Sequence, residues 1–217
     1  MKNLSLVLLP LVISACAGGG SSSTSSGSAS TNAFTSWSAT ISANTPASFT
    51  GGSTAVMALD GSSVQTDSDG TATLALGGNG IFSSIKAATP TSSVSFSPSS
   101  GDTLQSGFFQ TSTIALNKAE TTIGVFTNPT YYGFEYQTYG AWGAYGNATT
   151  SANAISVGSV TPLTGMPATG SYTFTGGSSG YYTDPSKNAY VTNANMTATA
   201  SFDSRTVNFN TSGTYIS

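Results

Sequence analysis

From Ala189 to Ser201 the residues alternate. Tyr190, Ala194, Met196, Ala198 and Ala200, with Phe202 just beyond, share one parity, and Asn, Thr and Ser fill most of the other. A period of two puts the two sets on opposite faces of an extended strand, and no helix keeps such a pattern on one stripe. The run therefore predicts a long strand. Asp203-Ser204-Arg205 predicts a tight turn, and Val207 and Phe209 open a returning strand. Upstream, Tyr172 and Phe174 share a face before the glycines at 176 and 177. Long alternating strands joined by tight turns suit an up-and-down barrel.

The preceding residues also read as β. The runs ATLAL (72–76), IFSSI (81–85), SVSF (93–96), STIAL (112–116) and IGVF (123–126) are short and rich in β-branched or aromatic residues. Ala72, Leu74 and Leu76 fall on one face. Turn signals stand between the runs: Asp60-Gly61, Asp67-Ser68-Asp69-Gly70, Gly77 to Gly80 and Ser99 to Asp102. Strands at this spacing predict an antiparallel all-β domain. Leu116 to Thr122 is read as a short helical turn. A domain boundary is placed at 154/155, beyond the polar stretch Asn147 to Ala154, with Pro162 to Gly170 as a turn-rich linker.

The N-terminus differs from all of this. Lys2 precedes an apolar run, Leu4 to Ile13, that is too short for a helix spanning a bilayer, which takes about 20 residues. Small residues and then Cys16 follow, so residues 1–15 have the layout of a signal peptide. Ile13-Ser14-Ala15-Cys16 resembles the bacterial lipobox, in which the chain is cut before a cysteine that becomes acylated. Cys16 is the sole cysteine in the 217 residues. An unpaired thiol in an exported protein calls for a reason, and lipidation supplies one. The run AGGGSSSTSSGSAST that follows offers no side chain able to offset the entropy of ordering. Residues 16–33 are therefore an acylated cysteine and a flexible tether, with an r.m.s. reach of roughly 20 Å over fifteen residues. Ala17 stands where an aspartate would favour retention in the inner membrane. By resemblance to known sorting signals, this points to the outer membrane.

Composition narrows the chemistry. Charged residues make up 6% of the chain, and 72 residues are Ser or Thr. Beyond Lys2 there are four basic and eight acidic residues, with no basic stripe, so nucleic acid is not an expected partner. The chain has no histidine, which removes a Ser-His-Asp triad and the commonest general base. Asp67-Ser68-Asp69-Gly70 begins like a calcium loop, but its twelfth position is Gly78 rather than a glutamate, and a hairpin turn is the better reading. Neither catalytic nor metal-ligating residues nor a cofactor are expected, and the protein is read as a non-enzyme. The Asn-X-Ser/Thr matches at Asn147, Asn195 and Asn210 arise by chance in so Ser/Thr-rich a chain.

The most aromatic stretch is YYGFEYQTYGAWGAY, residues 131–145. One reading makes it strand core, with Phe134 and Tyr136 on one face and Trp142 locked against the base of a barrel. The other makes it a protein-binding patch, since Tyr and Trp are favoured at interface hot spots. Its candidates are Tyr131, Tyr132, Tyr139, Trp142 and Tyr145, with Tyr181 and Tyr182 as a second set.

Several motifs together resemble the transferrin-binding protein B-like surface lipoproteins, whose general plan factor H-binding protein shares. They are Pro167, Gly170, Tyr172, Phe174, Gly176, Gly177, Gly180, Tyr181 and Tyr182; then Ala200, Phe202, Asp203, Arg205, Thr206 and Val207; and upstream Glu135 to Gly143. The likeness covers about Tyr131 to Ser217 and fades before residue 128. It implies an antiparallel handle domain over 34–154 and the first strands of an eight-stranded-type β-barrel over 155–217. It also implies a lipid-anchored protein on the outer-membrane cell surface of a Gram-negative bacterium. Such a protein would act by binding a protein ligand, in connection with metal acquisition, and would be exported by an outer-membrane translocator. The family's barrel has further strands beyond the hairpin at Asp203, so the chain is expected either to continue past Ser217 or to leave its barrel open. A structural coat or periplasmic lipoprotein without a ligand, and a small-ligand carrier using the barrel interior, are the alternative readings.

Overall fold

The structure, a computed structural model, describes residues 34–58, 64–107, 110–145, 151–159, 165–183 and 189–216. It is all-β, with two short helices, α1 (Trp37–Ala43) and α2 (Pro129–Tyr132). Nine strands form one antiparallel sheet: β1 (Ala47–Ala58), β2 (Val64–Leu76), β3 (Phe82–Ala88), β4 (Ser93–Phe96), β5 (Thr103–Ser106), β6 (Ser112–Leu116), β7 (Thr122–Thr127), β8 (Gln137–Ala144) and β9 (Ser151–Gly158). Their order, β4-β3-β2-β1-β9-β8-β7-β6-β5, is the sequence order closed into a ring, with β9 returning to pair with β1 and no ladder between β4 and β5. The sheet is thus a nearly closed up-and-down barrel.

The missing ladder follows from direction. Every neighbouring pair is antiparallel, so with nine strands β4 and β5 run the same way. They are joined only by a 3-10 turn at Pro98–Ser100, too short to carry the chain back for a parallel pair. They act instead as two halves of one interrupted strand. β4 leaves β3 where Phe96 pairs with Ile85. Three residues earlier on β3, the Phe82 amide donates to Thr113 Oγ1 at 3.0 Å, and Thr113 is the β6 residue that pairs with Ser106 of β5. The Asp102 carboxylate fixes the break by accepting from the Ser97 and Lys118 amides, both at 2.9 Å.

The interior is filled by Phe49, Leu74, Leu76, Phe82, Ile85, Phe96, Phe126, Trp142 and Ile155. Rings of this size fit a narrow barrel because glycines stand opposite them. A Cβ on Gly140 would run into the Phe126 ring, and one on Gly124 would lie 2.7 Å from Phe96. Helix α1 plugs one end. Ser36 caps it by accepting from the Ala39 amide. Trp37 is fully buried, packs against Phe34, Phe49 and Phe82, and donates its indole N–H to the Gln137 carbonyl at 2.9 Å. Glu135 holds the same helix from outside by accepting from the Ser38 amide and hydroxyl.

The remaining strands, β10 (Ser171–Thr183), β11 (Ala189–Ser201) and β12 (Thr206–Ile216), form a separate antiparallel three-stranded sheet. The alternating run at 189–201 is its central strand. Residues 202–205 make the turn between β11 and β12. The near-closed sheet therefore lies at residues 47–158, and the strands read as a barrel entry form the smaller sheet. The expected boundary at 154/155 falls inside β9, where Ala152, Ala154, Ile155 and Val157 are buried.

Two local expectations are corrected. Asp67 to Gly70 is not a hairpin turn: it lies within β2, opposite a β-bulge at Gly51-Gly52, where Gly51 has φ +77°. The bulge switches the buried parity of β1 from Ala47 and Phe49 to Gly52 and Thr54, which erases the alternation and hides β1 from sequence reading. Residues 117–121 form a tight turn rather than a helical one. Asn117 Oδ1 accepts from the Thr121 and Thr122 amides at 2.8 and 2.9 Å, closing the β6–β7 hairpin with Glu120 left-handed at φ 53°.

Candidate functional site

Cys16 and the tether lie outside the described residues. The aromatic stretch is divided by its position. Tyr139 and Trp142 are buried, Trp142 inside the barrel and Tyr139 on its outer wall, so neither lies on a free surface. Tyr132 is half-buried. Tyr131 is exposed beside Tyr132 and Phe134, which fold back onto Tyr139, and Tyr145 is exposed just past the end of β8. No single patch of these five exists. Phe134 and Tyr136, read as one core face, are half-buried and exposed, respectively. Tyr181 and Tyr182 sit in β10 opposite Val191 and Tyr190; their side chains lie outside the described residues.

What the aromatic stretch builds is a clasp. Tyr132 and Phe134 stack, and Phe134 lies against Tyr139. Together they receive β10 at Gly176-Gly177. The Tyr139 hydroxyl donates to the Gly177 carbonyl. A Cβ on Gly177 would collide with the Tyr132 phenol, and one on Gly176 would come 3.7 Å from Phe134. Gly177 is what lets the strand approach, since a Cβ at Gly176 would meet only ordinary van der Waals contact. Burial in the clasp raises the pKa of Tyr139 well above the usual phenol range, and that of Tyr132 less.

Beyond the clasp the three-stranded sheet has two unlike faces. Strand register puts Tyr172, Ala200 and Val207 in one row and Phe174, Ala198 and Phe209 in the next, with Gly176, Met196 and Thr211 nearest the barrel. The opposite face carries Ser171, Ser201 and Thr206, then Thr173, Thr199 and Asn208, then Thr175, Thr197 and Asn210. This is the sorting that the alternation predicts. Its consequence is not burial, however. Phe209 is 37% exposed, Tyr172 47%, Phe174 52% and Val207 59%. Ala198 is closed off between its aromatic neighbours at 1%. The apolar face is thus a shallow trough with an alanine floor and aromatic walls, and Phe202 packs edge-on against Tyr172 at its far end. No charged side chain lies in these rows. Asp203 and Arg205 sit in the turn, where Asp203 accepts from the Gly170 amide at 2.8 Å.

Among the described residues no three His, Cys, Asp or Glu side chains gather as metal ligands, and no helix is long and apolar enough to cross a membrane. No protein-family model matches the chain, and neither a curated protein nor a solved structure does.

Proposed function

We propose that this chain is a lipid-anchored outer-membrane lipoprotein that displays its β-body on the cell surface and acts by binding protein, not by catalysis. The anchor half of the reading rests on Cys16, the apolar run before it and the Gly/Ser tether behind it. A diacylglycerol and an amide-linked chain on one cysteine meet the two-chain requirement for stable anchoring. The likeness to transferrin-binding protein B-like lipoproteins belongs to the same proposal, and so do an outer-membrane translocator and a part in metal acquisition.

One observation carries the binding half: an apolar trough lined by Tyr172, Phe174, Val207 and Phe209 stands open in the smaller sheet. Contiguous exposed apolar surface of this kind marks interaction sites. The test is made on intact cells. A photo-reactive benzoylphenylalanine replaces Phe174, and lipid incorporation is followed with an alkyne fatty acid. The expected result is a lipid-labelled chain, lost in Cys16→Ala, that gives a discrete polypeptide adduct on irradiation. Lipid labelling that survives Cys16→Ala would overturn the anchor. Irradiation that yields no polypeptide adduct would overturn the binding role.

A further inference from the structure

The smaller sheet has the pattern of one half of a β-sandwich. One face is Thr, Ser and Asn and suits water. The other is Tyr, Phe, Ala, Met and Val and suits a second layer. Among the described residues that layer is supplied at one end, where Phe134 lies over Gly176, and Tyr172 and Phe174 stand about half exposed.

We infer that the second layer is the same face of a second copy of this chain, the two troughs closing on each other about a twofold axis. This rests on the binding role proposed above and names its partner. Shape supports it. Tyr172 and Phe174 of β10 and Val207 and Phe209 of β12 flank the β11 row two strand spacings, about 10 Å, apart. Phe174 and Phe209 close over Ala198, so a second copy lays its ring-bearing face flat on this one, as the layers of a sandwich do and as an isologous contact requires. Charge supports it as well: with no ionised side chain in the rows, two copies meet without repulsion and without a buried charge.

Area sets the strength. At about 200 Å² for a fully buried aromatic, the exposed parts of Tyr172, Phe174, Val207, Phe209 and their neighbours amount to on the order of 500 Å² per copy. The pair then buries about 1,000 Å², the lower bound for a specific contact and the range of weak, transient ones. Anchoring compensates for that weakness. Confinement to one membrane raises the local density of copies, so by mass action the pair forms on the membrane and dissociates in dilute solution.

The experiment uses the full lipidated chain reconstituted in phosphatidylcholine vesicles. With Cys16 acylated, an introduced cysteine is the one free thiol. Ala200→Cys lies in the trough and Thr175→Cys on the opposite face. Each is treated with a bis-maleimide spanning about 10 Å, the spacing of packed sheets. Ala200→Cys is expected to give a covalent dimer and Thr175→Cys is not. Adding Phe174→Glu, with the near-UV circular dichroism unchanged, is expected to cut the Ala200→Cys dimer about tenfold or more, because the carboxylate would be buried without a partner. Equal dimer from both cysteines, or none from Ala200→Cys, would overturn the inference. A photo-adduct of Phe174 with a different polypeptide on cells would then leave the binding role standing with another partner.

Discussion

At the scale of single residues the telling contact is Tyr139 to Gly177. A tyrosine on the outer wall of a barrel would ordinarily turn its hydroxyl to water. Here it is buried and spends its proton on a strand of the other sheet. Tyr139→Phe keeps the ring and leaves the Gly177 carbonyl unpaired, which costs about 1–3 kcal/mol. The loss falls on the junction. Hydrogen exchange of the β10 amides around Gly177 should therefore quicken by about tenfold or more while those of β2 and β3 stay unchanged; equal acceleration in both sheets would contradict this account. Titration of the same group gives a pH dependence. Its folded pKa lies above the ordinary 10.0, so from about pH 10 upward the unfolded chain gives up this proton before the folded one. The unfolded state then binds fewer protons, and stability falls as pH rises. Urea midpoints should drop between pH 9 and 11 in the wild type and drop less in Tyr139→Phe; parallel pH profiles would assign the loss to other tyrosines. None of this was legible beforehand. The stretch 131–145 announces aromatic density, but which rings face the core depends on where α2 ends and β8 begins, and Gly133 at φ +67° resets that phase.

At the scale of elements the weak point of the barrel is its seam. β4 and β5 leave one strand's length without a continuous ladder, and a buried polar chain bridges it. The Phe82 amide donates to Thr113 Oγ1, the Thr113 hydroxyl donates to Asn128 Oδ1 at 2.6 Å, and Asn128 Nδ2 donates to the Gln110 carbonyl at 2.8 Å. Thr113→Val preserves shape and breaks the first two links. A buried amide left without an acceptor costs about 1–3 kcal/mol, so exchange of the Phe82 amide should accelerate about tenfold or more and the urea midpoint should fall. An unchanged rate at Phe82 would mean that the seam is held elsewhere. The strands on either side were readable because nothing disturbs their period. Ala72, Leu74 and Leu76 are all buried, and the edges of β4 and β6 match the runs SVSF and STIAL. What the sequence hides is ring closure. That depends on β9 finding β1 across the whole chain, and both strands carry weak signals: β1 because its bulge flips parity, β9 because alanines and a buried asparagine fill it. Of the long strands in the smaller sheet β11 was legible in full, and β10 and β12 by their first residues. The openness of their apolar face was not, since alternation tells which side chains share a face and nothing of what lies over it.

At the scale of the whole molecule the two sheets are joined, among the described residues, by the clasp at Gly176-Gly177 and by a hydrogen bond from Thr111 to Asn193. The barrel has a closed aromatic core of its own. Among the described residues the smaller sheet keeps its apolar face partly exposed, and three strands with one such face stand near the lower limit of independent stability. Their unfolding should therefore separate, with the smaller sheet melting first. The chain is well placed to reveal this, because its two tryptophans, Trp37 and Trp142, both lie in the barrel core. Tryptophan fluorescence follows the barrel alone, whereas far-UV circular dichroism follows both sheets. In urea the dichroism of the monomer should lose part of its amplitude before the fluorescence changes, and Tyr139→Phe should widen the interval by loosening the junction. Coincident transitions in both proteins would show one cooperative unit. The same experiment at rising protein density on vesicles adds the effect of pairing. If a second copy covers the trough, the early transition moves to higher urea with density while the fluorescence transition stays in place, because mass action stabilises only the sheet that gains the contact.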